Sequence, residues 1–101
     1  MAHYSINTAK AREGKLAEAK QAALAAAKYI KDTYGANIQV LSNYDGNRNV
    51  IHWVTHSESF AMQEELNKKL EQDATLQKLI ATINESLDLF NSEWHIYSVV
   101  E

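Results

Sequence analysis

The chain has 101 residues, and its content of 46% hydrophobic and 23% charged residues predicts one globular domain spanning residues 1–101. The net charge is −3 and the ten lysines and arginines are dispersed, which disfavours nucleic-acid binding. The chain has no cysteine, no apolar run of membrane-spanning length and no recognisable secretion signal, so we expect a soluble, cytoplasmic protein without disulfides.

The first 35 residues predict a strand followed by a long helix. Residues 3–10 alternate between two faces. One face carries Tyr4, Ile6 and Thr8, and the other carries His3, Ser5, Asn7 and Ala9. From residue 15 to residue 34, apolar residues recur every three or four positions, as on an amphipathic helix. Gly35 follows at the position where a left-handed helix C-cap is expected.

Residues 37–44 and 50–56 predict the second and third strands. Both segments contain the β-branched and aromatic residues that favour strands. The pair Asp45-Gly46 between them is typical of a hairpin turn. The connection is longer than two residues, so the turn type stays open.

The next residues predict two helical pieces. Either Ser57 or Ser59 caps the first piece. Its buried side is marked by Met62, Leu66 and Leu70. The apolar stripe then loses phase, and a new cap at Asp73 or Thr75 starts a second piece whose stripe continues to Phe90. A single kinked helix is the alternative.

A last strand is predicted over residues 93–100, which completes the order β-α-β-β-α-β. This order predicts an α+β, ferredoxin-like fold with a four-stranded antiparallel-type sheet of order 4-1-3-2 and helices on one face. We expect the first and third strands to run parallel. The sheet face away from the helices is expected to carry Ser5, Asn7, His52, Val54 and His56. The helices are expected to cover Tyr4, Ile6 and Trp53.

The uncovered sheet face predicts an assembly. Two helical regions cover only one face of such a sheet, and the edge strands are rich in isoleucine, valine, tryptophan and tyrosine. Open edges and apolar faces of this kind tend to find partners. We therefore expect a homodimer, a dimeric α/β barrel, in which the two sheets face each other and enclose a cleft.

Several positions follow the pattern of a known superfamily. The pattern consists of Gly14, the third-strand run Ile51-His52-Trp53-Val54, the helix start Ser57-Glu58-Ser59-Phe60, and then Leu66, Leu70, Asp73, Leu76-Gln77 and Leu79. In these features the chain resembles the dimeric α/β-barrel superfamily, and within it the NIPSNAP-type and antibiotic-biosynthesis-monooxygenase-type domains. The resemblance covers nearly the whole chain. It implies the fold, and it brings in cofactor-free oxygenases of quinol-like substrates, haem-degrading oxygenases and proteins without a known activity.

The resemblance to the haem-degrading members is incomplete. Asn7 matches an asparagine that those members direct into the barrel from the first strand. Their third-strand tryptophan falls near Val54 here, with Trp53 beside it. No histidine lies between Ser57 and Trp94, where those members carry their haem ligand. We therefore expect no cofactor.

Seven residues are predicted to form the site. The candidate catalytic residues are Asn7, His52 and His56, and the candidate ligand-binding residues are Ser5, Val54, Trp94 and Tyr97. An amide in an apolar cleft costs about 1–3 kcal/mol unless it is hydrogen-bonded, so Asn7 is expected to orient a ligand or stabilise an oxyanion. Histidine titrates near neutral pH, which suits a proton acceptor. Ordinary structural hydrogen bonds are the alternative for all three.

A metal site is not predicted. His52 and His56 share one face of a strand and lie about 13 Å apart along it. Ligands of one zinc ion each lie only about 2 Å from the metal, so this pair cannot hold a single ion.

The function predicted first is a homodimer that binds a small, largely apolar ligand in a cleft between sheet and helices. The alternative is a cofactor-independent monooxygenase of aromatic or quinol-like substrates, in which a histidine acts as base and Asn7 orients the substrate. The second alternative is a non-catalytic structural or interaction dimer. Neither nucleic acid nor a membrane is an expected partner.

Overall fold

The elements follow one another in the predicted order. A computed structural model describes residues 2–100. The elements are β1 (His3–Ala11), α1 (Leu16–Tyr34), β2 (Asn37–Ser42), β3 (Val50–Ser57), α2 (Phe60–Glu71), α3 (Ala74–Ile83) and β4 (Leu87–Ser98). Within residues 2–100, no helix is both long and apolar enough to cross a membrane.

The four strands form one sheet in the order β2-β3-β1-β4, which is the predicted 4-1-3-2 order. All three pairings are antiparallel. The expectation that the first and third strands run parallel is wrong. The helical crossover α1 returns the chain so that β2 runs in the direction of β1, and the hairpin then reverses β3. The predicted α+β, ferredoxin-like architecture is confirmed.

The strand register assigns the side chains to the two faces of the sheet. In β1, Asn7 lies opposite Trp53 of β3 and Trp94 of β4, and Ser5 lies opposite Thr55. Residues directly opposite each other point to the same face. Because Trp53 Nε1 donates to the carbonyl oxygen of Ala23 in α1 at 3.2 Å, this shared face is the one under the helices.

The other face of the sheet, named here the outer face, carries the even-numbered residues of β1. Tyr4 lies opposite His56, Ile6 opposite Val54, and Thr8 opposite His52. Two expectations are therefore corrected. Ser5 and Asn7 do not share a face with His52, Val54 and His56, and Tyr4 and Ile6 do not lie under the helices. The placement of Trp53 under the helices is confirmed.

Helix α1 packs closely on the sheet because its inner stripe consists of small residues. Ala19 and Ala23 are fully buried, and they belong to one cluster with Ile51 and Leu87, which are also fully buried. The helix ends at Gly35, which has a φ of 69° and whose N–H donates to the carbonyl oxygen of Lys31. The predicted left-handed C-cap is confirmed.

The break between α2 and α3 also occurs as predicted. Ser59 caps α2 by accepting from the N–H of Met62 at 3.2 Å, and Asp73 caps α3 by accepting from the N–H of Leu76 at 2.9 Å. The inner face of α2 differs from the prediction. Met62 is 55% exposed, whereas Gln63 is buried.

Strand β4 begins at Leu87, six residues before the predicted start at residue 93. The apolar spacing from Ile83 through Leu87 to Phe90 imitates a helix stripe, but the chain turns at residues 84–86 and enters the sheet. A bulge hides the strand pattern: β1 pairs Thr8 with Glu93 and Lys10 with Asp88, so four residues of β4 lie opposite Ala9 alone.

Candidate functional site

A cleft of about 420 Å³ lies between the helix-side face of the sheet and the three helices. Side chains from all three helices form its apolar wall, among them Ile30, Leu66, Leu70, Leu76, Ile80 and Ile83. The sheet contributes Ser5, Asn7, Trp53, Thr55 and Trp94. The volume lies within the range of about 300–1,000 Å³ that is usual for small-molecule sites.

Asn7 lines this cleft and carries an unpaired polar atom. Its Oδ1 is buried and has no hydrogen-bond partner, and it is the one buried side-chain polar atom in this state among residues 2–100. The predicted penalty for a buried amide is therefore not offset by any contact within the described chain. A carbonyl oxygen accepts hydrogen bonds, so Asn7 is suited to a ligand that donates one.

A second amide faces the cleft from α2, and a relay of side chains fixes its orientation. Ser57 Oγ donates to Gln63 Oε1 at 2.8 Å, and Gln63 Nε2 donates to Asn67 Oδ1 at 3.1 Å. Because the oxygen of Asn67 is already used as an acceptor, the side chain offers its NH₂ group as the remaining polar function. Asn67 lines the cleft, so α2 supplies a hydrogen-bond donor to the space that also borders Asn7.

Trp94 and Ser5 form a polar contact where β4 borders the cleft. Trp94 Nε1 donates to Ser5 Oγ at 2.5 Å, which ties β4 to β1 across the sheet. Ser5 is buried, whereas Trp94 is 51% exposed. The indole ring therefore lies at the opening of the cleft, with one part buried and another part in contact with solvent.

Among the described residues, Glu71 is the one ionisable residue that lines the cleft, and none of those lining residues is a histidine. An interior with so little charge suits an uncharged or weakly polar ligand. Among residues 2–100, no group of three or more histidine, aspartate or glutamate side chains is placed to hold a metal ion.

His52 lies on the outer face and both of its ring nitrogens are engaged. Nε2 lies 2.6 Å from Asn43 Oδ1, and Nδ1 lies 2.8 Å from Thr8 Oγ1. Asn43 donates through its own Nδ2 to the carbonyl oxygen of Asn47, so its Oδ1 faces His52 as an acceptor. The ring therefore donates from Nε2, and Nδ1 is the nitrogen that can accept from the Thr8 hydroxyl.

The other predicted residues of the outer face do not meet Asn7 either. His56 packs edge-on against Tyr4, with ring centroids 5.0 Å apart. Val54 is half-buried between the neighbouring strands, and Tyr97 is 51% exposed. Of the seven predicted site residues, the structure brings together Ser5, Asn7 and Trp94. It separates them by the thickness of the sheet from His52, Val54, His56 and Tyr97.

Asp73 connects α1 and α3, two of the helices that border the cleft. Besides capping α3, its carboxylate accepts from the hydroxyl of Tyr29 at 2.8 Å and from that of Tyr34 at 2.5 Å, and both tyrosines belong to α1. The bond from Tyr34, with further help from the backbone of Leu76, lowers the pKa of Asp73 below its ordinary 3.8. The same bond raises the pKa of Tyr34 from 10.0 to about 12.

Sequence reasoning missed Gln63 and Asn67. The signal that could have found them is the spacing of Gln63, Leu66, Asn67 and Leu70, which follows the i, i+3, i+4, i+7 pattern of one helix face. Of the predicted stripe, Leu66 and Leu70 lie on that face, whereas Met62 is 55% exposed and lies outside it. Polar residues on the true inner stripe mark the cleft.

No family model and no curated protein matches this chain. Solved structures do match it. A NIPSNAP family protein from Agrobacterium tumefaciens superposes with a TM-score of 0.83 at 17% identity, over 100% of this chain and 95% of that chain. The cofactor-independent oxygenase SnoaB from Streptomyces nogalater superposes with a TM-score of 0.75 at 11% identity, over 99% and 94% of the two chains.

A putative antibiotic biosynthesis monooxygenase from Nitrosomonas europaea superposes with a TM-score of 0.74 at 12% identity, over 98% of this chain and 90% of that chain. At such identities the likeness is one of fold. The resemblance to NIPSNAP-type and antibiotic-biosynthesis-monooxygenase-type domains that the sequence predicts is confirmed at this level: the chain has their ferredoxin-like fold.

Proposed function

We propose that this protein binds a small, largely apolar molecule in the cleft between sheet and helices. The observation that carries the proposal is the buried, unpaired Oδ1 of Asn7 beside an apolar cleft of about 420 Å³. An unsatisfied buried acceptor is costly, and a ligand that donates a hydrogen bond relieves the cost. The cleft thus has both the apolar surface for affinity and a polar atom for orientation.

The polar groups of the cleft define the ligand further. Asn7 supplies an acceptor from the sheet, and Asn67 supplies a donor from α2. A ligand with a hydroxyl group at one position and an acceptor at another satisfies both. An aromatic ring that carries a hydroxyl group has this chemistry.

A matched pair of probes tests this proposal. 1-Naphthol donates a hydrogen bond and 1-methoxynaphthalene does not, although their ring systems are the same. We expect 1-naphthol to bind about tenfold more tightly in a fluorescence titration, which corresponds to about 1.4 kcal/mol for one hydrogen bond to a buried acceptor. In Asn7→Leu the two probes should bind equally. Failure of both probes to bind the unmodified protein would refute the proposal.

We also propose that the outer face joins two copies of the chain. The face carries Tyr4, Leu41 and Tyr97, which are each 40–51% exposed, and beside them lie Ile6 and Val54. A sheet face that exposes several large apolar side chains among its polar ones favours association. The twofold packing of such a face against itself is the simplest closed arrangement.

Light scattering tests the dimer. We expect a particle of twice the 11.4 kDa chain mass. The variant Val54→Lys places a charge in the centre of the outer face and should give the mass of one chain, because a buried unpaired charge opposes association. Lys10→Gln, near the end of β1, is the matched control and should leave the mass unchanged. A single-chain mass for the unmodified protein would contradict the dimer.

The second candidate is a cofactor-independent monooxygenase of aromatic or quinol-like substrates. The specific observation in its favour is that the solved oxygenase SnoaB has the same fold, with a TM-score of 0.75. The NH₂ group of Asn67 would donate to the hydroxyl oxygen of such a substrate and stabilise it when it ionises, whereas Asn7 Oδ1 would accept from the hydroxyl before it loses its proton. The base is the missing part: His52 and His56 do not line the cleft.

Oxygen uptake with a panel of quinols separates the two candidates. Uptake that disappears in Asn7→Leu and Asn67→Ala supports the enzyme. Binding of 1-naphthol without uptake of oxygen supports a binding protein. If neither naphthalene probe binds and the mass is that of a dimer, the non-catalytic structural or interaction dimer is the remaining hypothesis.

A further inference from the structure

A second, polar pocket adjoins the apolar cleft. It has a volume of about 350 Å³ and lies where β2 begins, β3 ends and α2 starts. Thr55 and Leu66 line both cavities. The two cavities therefore meet at Thr55 on the sheet side and at Leu66 on the helix side.

The polar pocket differs from the cleft in its chemistry. Its side chains include Asn37 and His56 from the strands, and Glu58, Glu65 and Lys69 near or within α2. Lys69 Nζ lies 3.4 Å from Glu65 Oε1, so these two charges largely offset each other. Glu58 has no ion-pair partner within the described part of the chain, which leaves the pocket with a net negative character.

We propose that the ligand spans both cavities, with an apolar body in the cleft and an uncharged, hydroxyl-bearing end group in the polar pocket. This inference rests on the proposed binding function and assigns the ligand class. The carboxylate of Glu58 disfavours an anionic end group by repulsion. The amide of Asn37, the imidazole of His56 and the carboxylates supply donors and acceptors that suit hydroxyl groups.

A ligand that reaches the polar pocket would contact His56, whereas a ligand confined to the cleft would not. His56 lies on the outer face of the sheet but also lines the polar pocket, at the edge where the sheet ends. The end group of a spanning ligand would therefore lie beside a residue that the sequence singles out. His52, farther along β3, lines neither cavity.

Three probes distinguish a spanning ligand from one confined to the cleft. 1-Naphthol reports on the cleft, monodecanoylglycerol has an apolar chain with an uncharged diol end, and decanoate has the same chain length with a carboxylate end. Both chain probes displace bound 1-naphthol in the assay, below their micelle-forming concentrations at pH 7. We expect monodecanoylglycerol to bind about tenfold more tightly than decanoate, as one additional well-made polar contact provides.

Two variants locate the end group. Met62 lines the polar pocket and not the cleft, so Met62→Trp should weaken monodecanoylglycerol about tenfold and leave 1-naphthol unchanged. The matched control Ala61→Trp adds the same ring at an exposed neighbour that lines neither cavity. It should leave both probes unchanged. Glu58→Lys reverses the charge at the pocket without touching the cleft and should strengthen decanoate about tenfold.

The outcomes separate this inference from the function on which it rests. If 1-naphthol binds but monodecanoylglycerol shows no preference over decanoate, or Glu58→Lys leaves decanoate unchanged, the spanning ligand is refuted and the cleft proposal stands. If 1-naphthol itself fails to bind, the cleft proposal falls and the spanning ligand falls with it. Preference for monodecanoylglycerol that is lost in Met62→Trp and kept in Ala61→Trp supports the inference.

Discussion

Replacing Asn7 with leucine tests whether its buried oxygen is held for a ligand. Leucine has nearly the same shape as asparagine and carries no polar atom. The Oδ1 of Asn7 is buried without a partner, so the substitution removes an uncompensated acceptor from an apolar environment. The usual expectation for a substitution in the interior is a loss of stability. Here we expect a gain.

The size of the gain follows from the cost of the unpaired group. A buried acceptor without a hydrogen bond costs about 1–3 kcal/mol, and Asn7 as a residue is half-buried, which favours the lower part of this range. We therefore expect the free energy of unfolding of Asn7→Leu to rise by about 1–2 kcal/mol. For a chain of this length, each kcal/mol raises Tm by roughly 4–8 °C.

Urea unfolding of the ligand-free protein measures this change, with Thr8→Val as the matched control. Thr8 is the next residue along β1, but its hydroxyl is paired with His52 at 2.8 Å, so its removal should lower the free energy of unfolding by about 1 kcal/mol. We expect the free energy of unfolding to rise in Asn7→Leu and to fall in Thr8→Val. A loss of stability in Asn7→Leu as large as that in Thr8→Val would refute the reasoning.

Three further substitutions have defined outcomes. His52→Ala should cost about 1–2 kcal/mol in urea unfolding because two hydrogen bonds are lost, yet leave 1-naphthol binding unchanged, since His52 lies across the sheet from the cleft. Tyr34→Phe should change the pH dependence of the urea midpoint at both ends. The raised pKa of Tyr34 means that its stabilising contribution is present below pH 10.0 and is lost as the pH rises to about 12. The lowered pKa of Asp73 means that its contribution is present above 3.8 and is lost as the pH falls through the lowered value, and both losses should shrink in the variant. Gly35→Ala should lower the free energy of unfolding by about 1 kcal/mol through the φ of 69° alone, since nothing lies within 4 Å of the added Cβ; an unchanged midpoint would contradict this account.

The order of the elements and their boundaries could largely be predicted because the signals are local. The alanine-rich stripe of α1 and its glycine cap depend on residues within a few positions of one another. The same holds for Asp73, which caps α3 by accepting from an N–H only three residues along the chain. Strand β4 was misplaced because its bulge breaks the alternation that identifies a strand, and because Leu87 continues the helical spacing from Ile83.

The composition of the site could not be predicted in the same way. Alternation shows which residues of one strand share a face, but the match between the faces of two strands depends on register. The predicted outer face groups Ser5 and Asn7 with the even-numbered residues of β3, whereas the register pairs Asn7 with Trp53. A shift of the register by one residue moves every side chain of a strand to the other face. No signal in the segments between β1 and β3 fixes this register from sequence.

The predicted site residues lie on both faces of the sheet, and the two faces have different proposed roles. Asn7 and Asn67 line the cleft between the sheet and the helices. Tyr4, Val54 and Tyr97 lie on the opposite surface, where a second copy would sit. Because no residue is shared between these two sets, the affinity for a ligand and the strength of assembly can vary independently. A monomeric Val54→Lys protein should therefore keep the affinity of the unmodified protein for 1-naphthol, and loss of that affinity in a folded monomer would mean that the partner completes the site.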